Sequence, residues 1–118
     1  MAILNLDTGR MLAWEVREAR SFGKRLKGLM FTSSFPPGCA LHLTPCHSIH
    51  TFFMKFPIDA IYLDVNREIV GIEQRLPPGV VGKRFKHVVS VVELPAGTVE
   101  QTGTKVGQAV SFQEKEVG

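Results

Sequence analysis

The sequence predicts a mainly β domain, a sandwich or barrel with one or two short helices. Three observations predict it. About eight apolar, often β-branched runs of five to nine residues recur along the chain. Turn signals separate them about every eight to twelve residues, the spacing of sandwiches and barrels. Seven prolines and eleven glycines are scattered, which suits many short elements better than a few long helices. At 118 residues the chain forms one domain, 1–118, large enough for a real core.

In order, residues 2–6 and 11–18 read as strands around the turn Asp7-Thr8-Gly9-Arg10. In the second, Leu12, Trp14 and Val16 fall on one face, Glu15 and Arg17 on the other. Residues 21–30 change period: Phe22, Leu26, Leu29 and Met30 line one helical face behind a Ser21 cap. Gly23 and Gly28 shorten that helix, and Lys24, Arg25 and Lys27 form a solvated basic face. Thr32 to Gly38 is a loop, because Pro36-Pro37 cannot continue a helix. Strands follow at 39–44, 49–54 and 58–65, and Asn66-Arg67 turns the chain into a strand at 68–76. After the loop opened by Pro77-Pro78-Gly79, residues 88–94 are nearly all β-branched and predict a central strand. Thr98 and Gln101 are spaced for a capping box on a single helical turn. A last strand spans 108–113, and 114–118 is expected to fray.

Composition sets limits on function. An apolar share of 44% and a charged share of 21% are ordinary for a globular protein. A net charge of +3 is too small to point to nucleic acid. The N-terminus has no basic region followed by an apolar run, and no stretch approaches the roughly 20 apolar residues of a membrane span. The expected compartment is the cytoplasm, with Cys39 and Cys46 as free thiols.

Phe52, Met54 and Lys55, followed by Pro57-Ile58-Asp59 and Leu63-Asp64, form a pattern with an upstream Arg25 and Gly28-Leu29-Met30. Glu93-Leu94-Pro95-Ala96-Gly97, Gly103 and Gly107 complete it downstream. The pattern covers residues 10–112 and resembles the prokaryotic family catalogued as domain of unknown function 192. The resemblance implies a single-domain antiparallel β-sandwich of jelly-roll type. It implies no chemistry, and relatives are often exported.

Side chains of functional type crowd into 45–65, yet no complete catalytic or cofactor signature appears. The reading leans away from an enzyme and toward a small-ligand-binding or interaction module using the 45–59 segment with the 79–87 loop. Arg25 and Lys55 would meet an anionic or polar group, and Asp59 would orient Lys55. Phe52 and Met54 would form an apolar wall beside His50, a mixture usual in small-molecule sites. The rival is an enzyme with a metal or thiol site. Cys46 and His50 are spaced C-x3-H, with His47 between them and His42 nearby, and thiolates and imidazoles are zinc's usual ligands. A hairpin over 39–54 with a five-residue turn would set His42 opposite His50, whereas a four-residue turn would separate them. Cys46 with His47 or His50 could alternatively act as a thiolate pair. Lys83, Arg84, Phe85 and Lys86 combine cations with an aromatic, as single-strand binders do, but the short run reads better as a solvated loop. The partner implied is a small molecule or another protein.

Overall fold

Among the described residues, 1–114 of a computed structural model, the chain forms eight strands and two short helices. The strands are β1 (Ala2–Asn5), β2 (Met11–Ala13), β3 (Glu15–Ala19), β4 (Cys39–Leu43), β5 (Ile58–Leu63), β6 (Ile69–Leu76), β7 (Ser90–Pro95) and β8 (Val110–Gln113). The helices are α1 (Phe22–Lys27) and α2 (Thr98–Thr102). Of the tail expected to fray, residues 115–118 lie outside the described residues.

The strands form two sheets, in the orders β2-β1-β8 and β3-β4-β7-β5-β6. Pairing is antiparallel except between β3 and β4, which run parallel. The β-branched run occupies the middle of the larger sheet, as its composition predicts, and the Asn66 turn forms as read. Asp64 Oδ1 accepts from the Asn66 and Glu68 amides at 2.8 and 2.9 Å, and Arg67 takes the left-handed backbone such a turn requires.

The larger sheet is buried on both faces. One face packs on the small sheet, joining Ile61, Leu63, Val92 and Leu94 to Ile3, Leu12 and Val110. The other carries Leu41, Leu43, Ala60, Tyr62 and Val91, covered by Leu29, Ile49, Met54 and Val88. This two-sided burial explains why β5 and β7 read as continuous apolar runs and not as alternating ones.

Several local expectations are corrected. The strand expected over 11–18 breaks at Trp14, which is 64% exposed instead of sharing a face with Leu12 and Val16. The break lets β2 stay with β1 while β3 crosses to pair with β4. The strand expected over 49–54 is coil apart from an isolated His50–Val81 bridge. Both edges of β4 are already taken, by β3 and β7, so the 39–54 hairpin has no place to form. The coil's polar groups turn instead to the 77–82 loop: Thr51 N–H donates to Val80 O at 2.8 Å and its hydroxyl to Pro77 O at 2.6 Å.

The helix at 98 has no capping box. Gly97 caps it in a left-handed conformation, φ 96°, which suits glycine. The acceptor for its first amides comes from across the sheet: Asp59 Oδ2 takes Gly97 N–H at 3.1 Å and Val99 N–H at 2.9 Å. Asp59 Oδ1 takes the Arg75 N–H at 2.9 Å, so one fully buried carboxylate ties β5 to β6 and α2. At the other helix Ser21 caps as expected, accepting from Lys24 N–H at 3.2 Å. The apolar face of α1, however, is not buried: Phe22 and Leu26 are exposed, and Leu29, past the helix end, reaches the core.

Asp59→Ala is expected to leave three amides, two of them buried, without an acceptor and to cost about 3 kcal/mol. Urea unfolding should show a lower midpoint with an unchanged slope.

Candidate functional site

The outer face of the larger sheet carries an acid where its neighbours are apolar. Side chains alternate along β7, so Val92 and Leu94 face the small sheet while Val91 and Glu93 face outward. Glu93 stands opposite Leu41 on β4 and Ala60 on β5, in the centre of the layer. It is 2% exposed, and its Oε1 has no hydrogen-bond partner among the described residues. Burial pushes its pKa from the ordinary 4.5 up to about 8, so it is a neutral carboxylic acid at neutral pH.

Above Glu93 a cleft of about 390 Å³ opens between α1, the 45–50 segment and the 77–88 loop. Arg25 and Leu26 come from the helix, with Leu29 and Met30 just beyond it. Cys46, His47 and His50 come from the segment, joined by Met54 and Arg84. Arg25 donates through Nη1 to the Arg20 carbonyl. Arg25 and Glu93 form no ion pair among the described residues, although both act on the Cys46 thiol.

The polar groups of the segment are held by backbone. Cys46 Sγ–H donates to Ser48 O at 3.1 Å. Burial pushes the thiol pKa up and the Glu93 carboxyl adds to the shift, while the Ser48 contact and the charge of Arg25 oppose it. A thiol so placed stays protonated, and neither His47 nor His50 is its hydrogen-bond partner, which removes the arrangement a thiolate pair needs. His47 Nδ1 lies 2.8 Å from Val88 O; a carbonyl only accepts, so that nitrogen carries the proton. His50 Nδ1 accepts from Phe52 N–H at 3.1 Å, which leaves its ring proton on Nε2.

Of the predicted ligand-site residues, Arg25, His50 and Met54 line the cleft. Phe52 is partly exposed and stacks on His50, with centroids 5.1 Å apart. Lys55 is exposed, and Asp59 is buried on three backbone amides with no ion pair to Lys55 among the described residues, so it does not orient that lysine. The four metal candidates divide. Cys46, His47 and His50 lie at the cleft, whereas His42 sits on the opposite face of the sheet, stacked on Phe112 at 4.4 Å. Burial pushes His42 below the usual histidine range although Glu18 Oε1 is 3.7 Å away. Among the described residues no group of three or more His, Cys, Asp or Glu is placed to hold a metal ion. In the basic loop, Phe85 turns inward. Its ring lies 4.6 Å from that of Tyr62 and fills the space over Gly71, where any Cβ would come within 2.5 Å of it. The ring is therefore not presented for stacking a base.

Glu93 and the residues Leu26, Lys27, Leu29 and Met30, at the end of α1 and just beyond it, line the cleft outside the segments selected from sequence, whereas Arg84 comes from the 79–87 loop that was among them. A signal for Glu93 was present: an acid at the end of the run Val88-Val89-Ser90-Val91-Val92, in a strand read as central.

The fold and site together define a two-sheet β domain with a buried neutral acid under an open cleft. The chain belongs to the family described as uncharacterized ACR, domain of unknown function 192, whose model matches residues 3–112. It is 33% identical over 115 residues to a UPF0127 protein of Pyrococcus furiosus, covering 93% of this chain and 97% of that one. A UPF0127 protein of Pyrococcus horikoshii is 32% identical over 114 residues, covering 91% and 96%. Two solved structures share the fold. One, a protein of unknown function from Novosphingobium aromaticivorans, has a TM-score of 0.80 at 19% identity, covering 94% of this chain and 82% of that one. The other, a putative transcription regulator from Sinorhizobium meliloti, has a TM-score of 0.76 at 20% identity, covering 93% and 89%.

Because the Glu93 pKa is raised in the folded state, that state holds a proton the unfolded chain releases between pH 4.5 and about 8. The stability this proton supplies is complete below the lower value and lost as pH rises through the upper one, at most about 1.4 kcal/mol per pH unit. Glu93→Gln should flatten that slope in urea titrations run across the interval.

Proposed function

We propose that this domain binds a small molecule in the cleft over Glu93. The observation that carries the reading is the buried Glu93 carboxyl whose Oε1 has no hydrogen-bond partner among the described residues, at the floor of an open cleft. An unsatisfied buried polar group costs about 1–3 kcal/mol. An apolar residue in this layer would avoid that cost, and a ligand supplying the missing hydrogen bond would recover it. The surroundings suit such a site: apolar walls from Leu26, Ile49 and Met54 with a few convergent polar groups. Both cysteines are free, which fits a reducing compartment such as the cytoplasm.

The test couples stability to binding. Glu93→Leu is expected to raise the melting midpoint by several degrees, about 1–3 kcal/mol, since it removes the unpaired group. The same change should abolish binding of fragments that shift the Met30 and Met54 methyl resonances. Fragments that bind the cleft equally well in Glu93→Leu would count against the reading.

A further inference from the structure

We infer that the ligand is an organic anion with an apolar tail, a carboxylate or phosphate ester whose charged group meets Arg25, Arg84 and the Glu93 carboxyl. This rests on the reading of the cleft as a small-molecule site and names the chemistry the cleft selects.

The first argument is an inventory of hydrogen-bonding groups. Arg25 and Arg84 can only donate, and neither makes an ion pair among the described residues. His50 offers its Nε2 proton, because Nδ1 is taken by Phe52 N–H. Glu93 is the single acid among the cleft residues and at neutral pH offers its own O–H. Cys46 already donates to Ser48 O. The cleft's open polar groups are thus mostly donors; the His47 Nε2 lone pair, the Ser48 hydroxyl and the carbonyl oxygen of the neutral Glu93 carboxyl are the exceptions. A donor-rich pocket with two unpaired guanidiniums matches an acceptor-rich anion and repels an amine.

The second argument is the lip of the cleft. Phe22 is 75% exposed and Leu26 55%, and both border the cleft. Phe31 and Phe53 adjoin the cleft residues Met30 and Met54, are 63% and 64% exposed, and stack with centroids 5.4 Å apart. Both adopt φ of 61°, a left-handed backbone that is strained for so bulky a side chain. Single exposed apolar residues are ordinary, but Phe22 and Leu26 both border the cleft, and the exposed Phe31–Phe53 stack directly follows or precedes cleft residues along the chain, so apolar surface is concentrated on the segments that frame the cleft. Anion-binding donors inside an apolar lip describe an amphiphile, not an inorganic anion.

The experiment titrates the full chain with octanoate, octylamine and acetate while observing the methionine methyl resonances. Octanoate is expected to shift Met30 and Met54 and to bind at least about tenfold tighter than either of the others. Arg25→Ala and Arg84→Ala should each weaken octanoate by about tenfold, with the remote Lys105→Ala unchanged. Arg84 is exposed, so its variant folds even if the Arg25–Arg20 contact proves structural. Phosphatidylglycerol vesicles form a second arm. Octanoate binding without vesicle association supports a free acid, and vesicle association lost in Arg25→Ala supports a lipid as the source of the same chemistry. Octylamine binding as tightly as octanoate, or arginine variants that bind octanoate normally, would overturn the anion while leaving the small-molecule reading intact. Acetate matching octanoate would overturn the tail. If neither these probes nor neutral fragments reach Met30 and Met54, both readings fall.

Discussion

The whole arrangement depends on the burial of β5 and β7 on both faces. A sheet covered on one side by three strands still has an apolar second side to remove from water. This chain covers it with coil: Leu29 just past α1, Ile49 and Met54 from the 44–57 stretch, and Val88 from the 77–89 stretch. Coil can cover a sheet only if its own backbone groups find partners, and Thr51 supplies several of them between the 49–54 and 77–82 segments. A layer built in this way closes less evenly than a row of helices would. The gap it leaves lies over Glu93.

Two buried carboxylates on neighbouring strands show how environment decides role. Asp59 stands opposite Leu94, and Glu93 stands opposite Ala60, one step along the same pair of strands. Alternation sends them to opposite faces. Asp59 meets three backbone amides and acts as a bracket joining β5, β6 and α2. Glu93 meets no such donors among the described residues, keeps its proton and faces a cleft. Hydrogen bonds from three backbone amides hold the first in the structure, and desolvation without compensation raises the pKa of the second.

Much of the fold was legible in local patterns. Asp64 and Asn66 mark the β5–β6 turn because their chemistry acts within a few residues. The β-branched run before Glu93 marks the central strand because burial on both faces leaves no room for polar alternation. Ser21 marks the start of α1 for the same local reason. The residues 49–54 have strand composition and are coil, since composition cannot report that β3 and β7 already flank β4. Period two over 11–18 is equally blind to a change of sheet at Trp14.

By itself the sequence determined the mainly β class, the central strand, the Asp64–Glu68 turn, the family and the stretch that lines part of the cleft, because each rests on side chains close together in the chain. Tertiary structure alone decided that Arg25, His50 and Met54 share a cleft while Asp59 and His42 do not. It also decided that the acid beneath them is Glu93. Strand register sets that meeting, pairing residues dozens of positions apart, and the partners found there determine whether a buried acid brackets the fold or lies unpartnered, among the described residues, beneath a cleft.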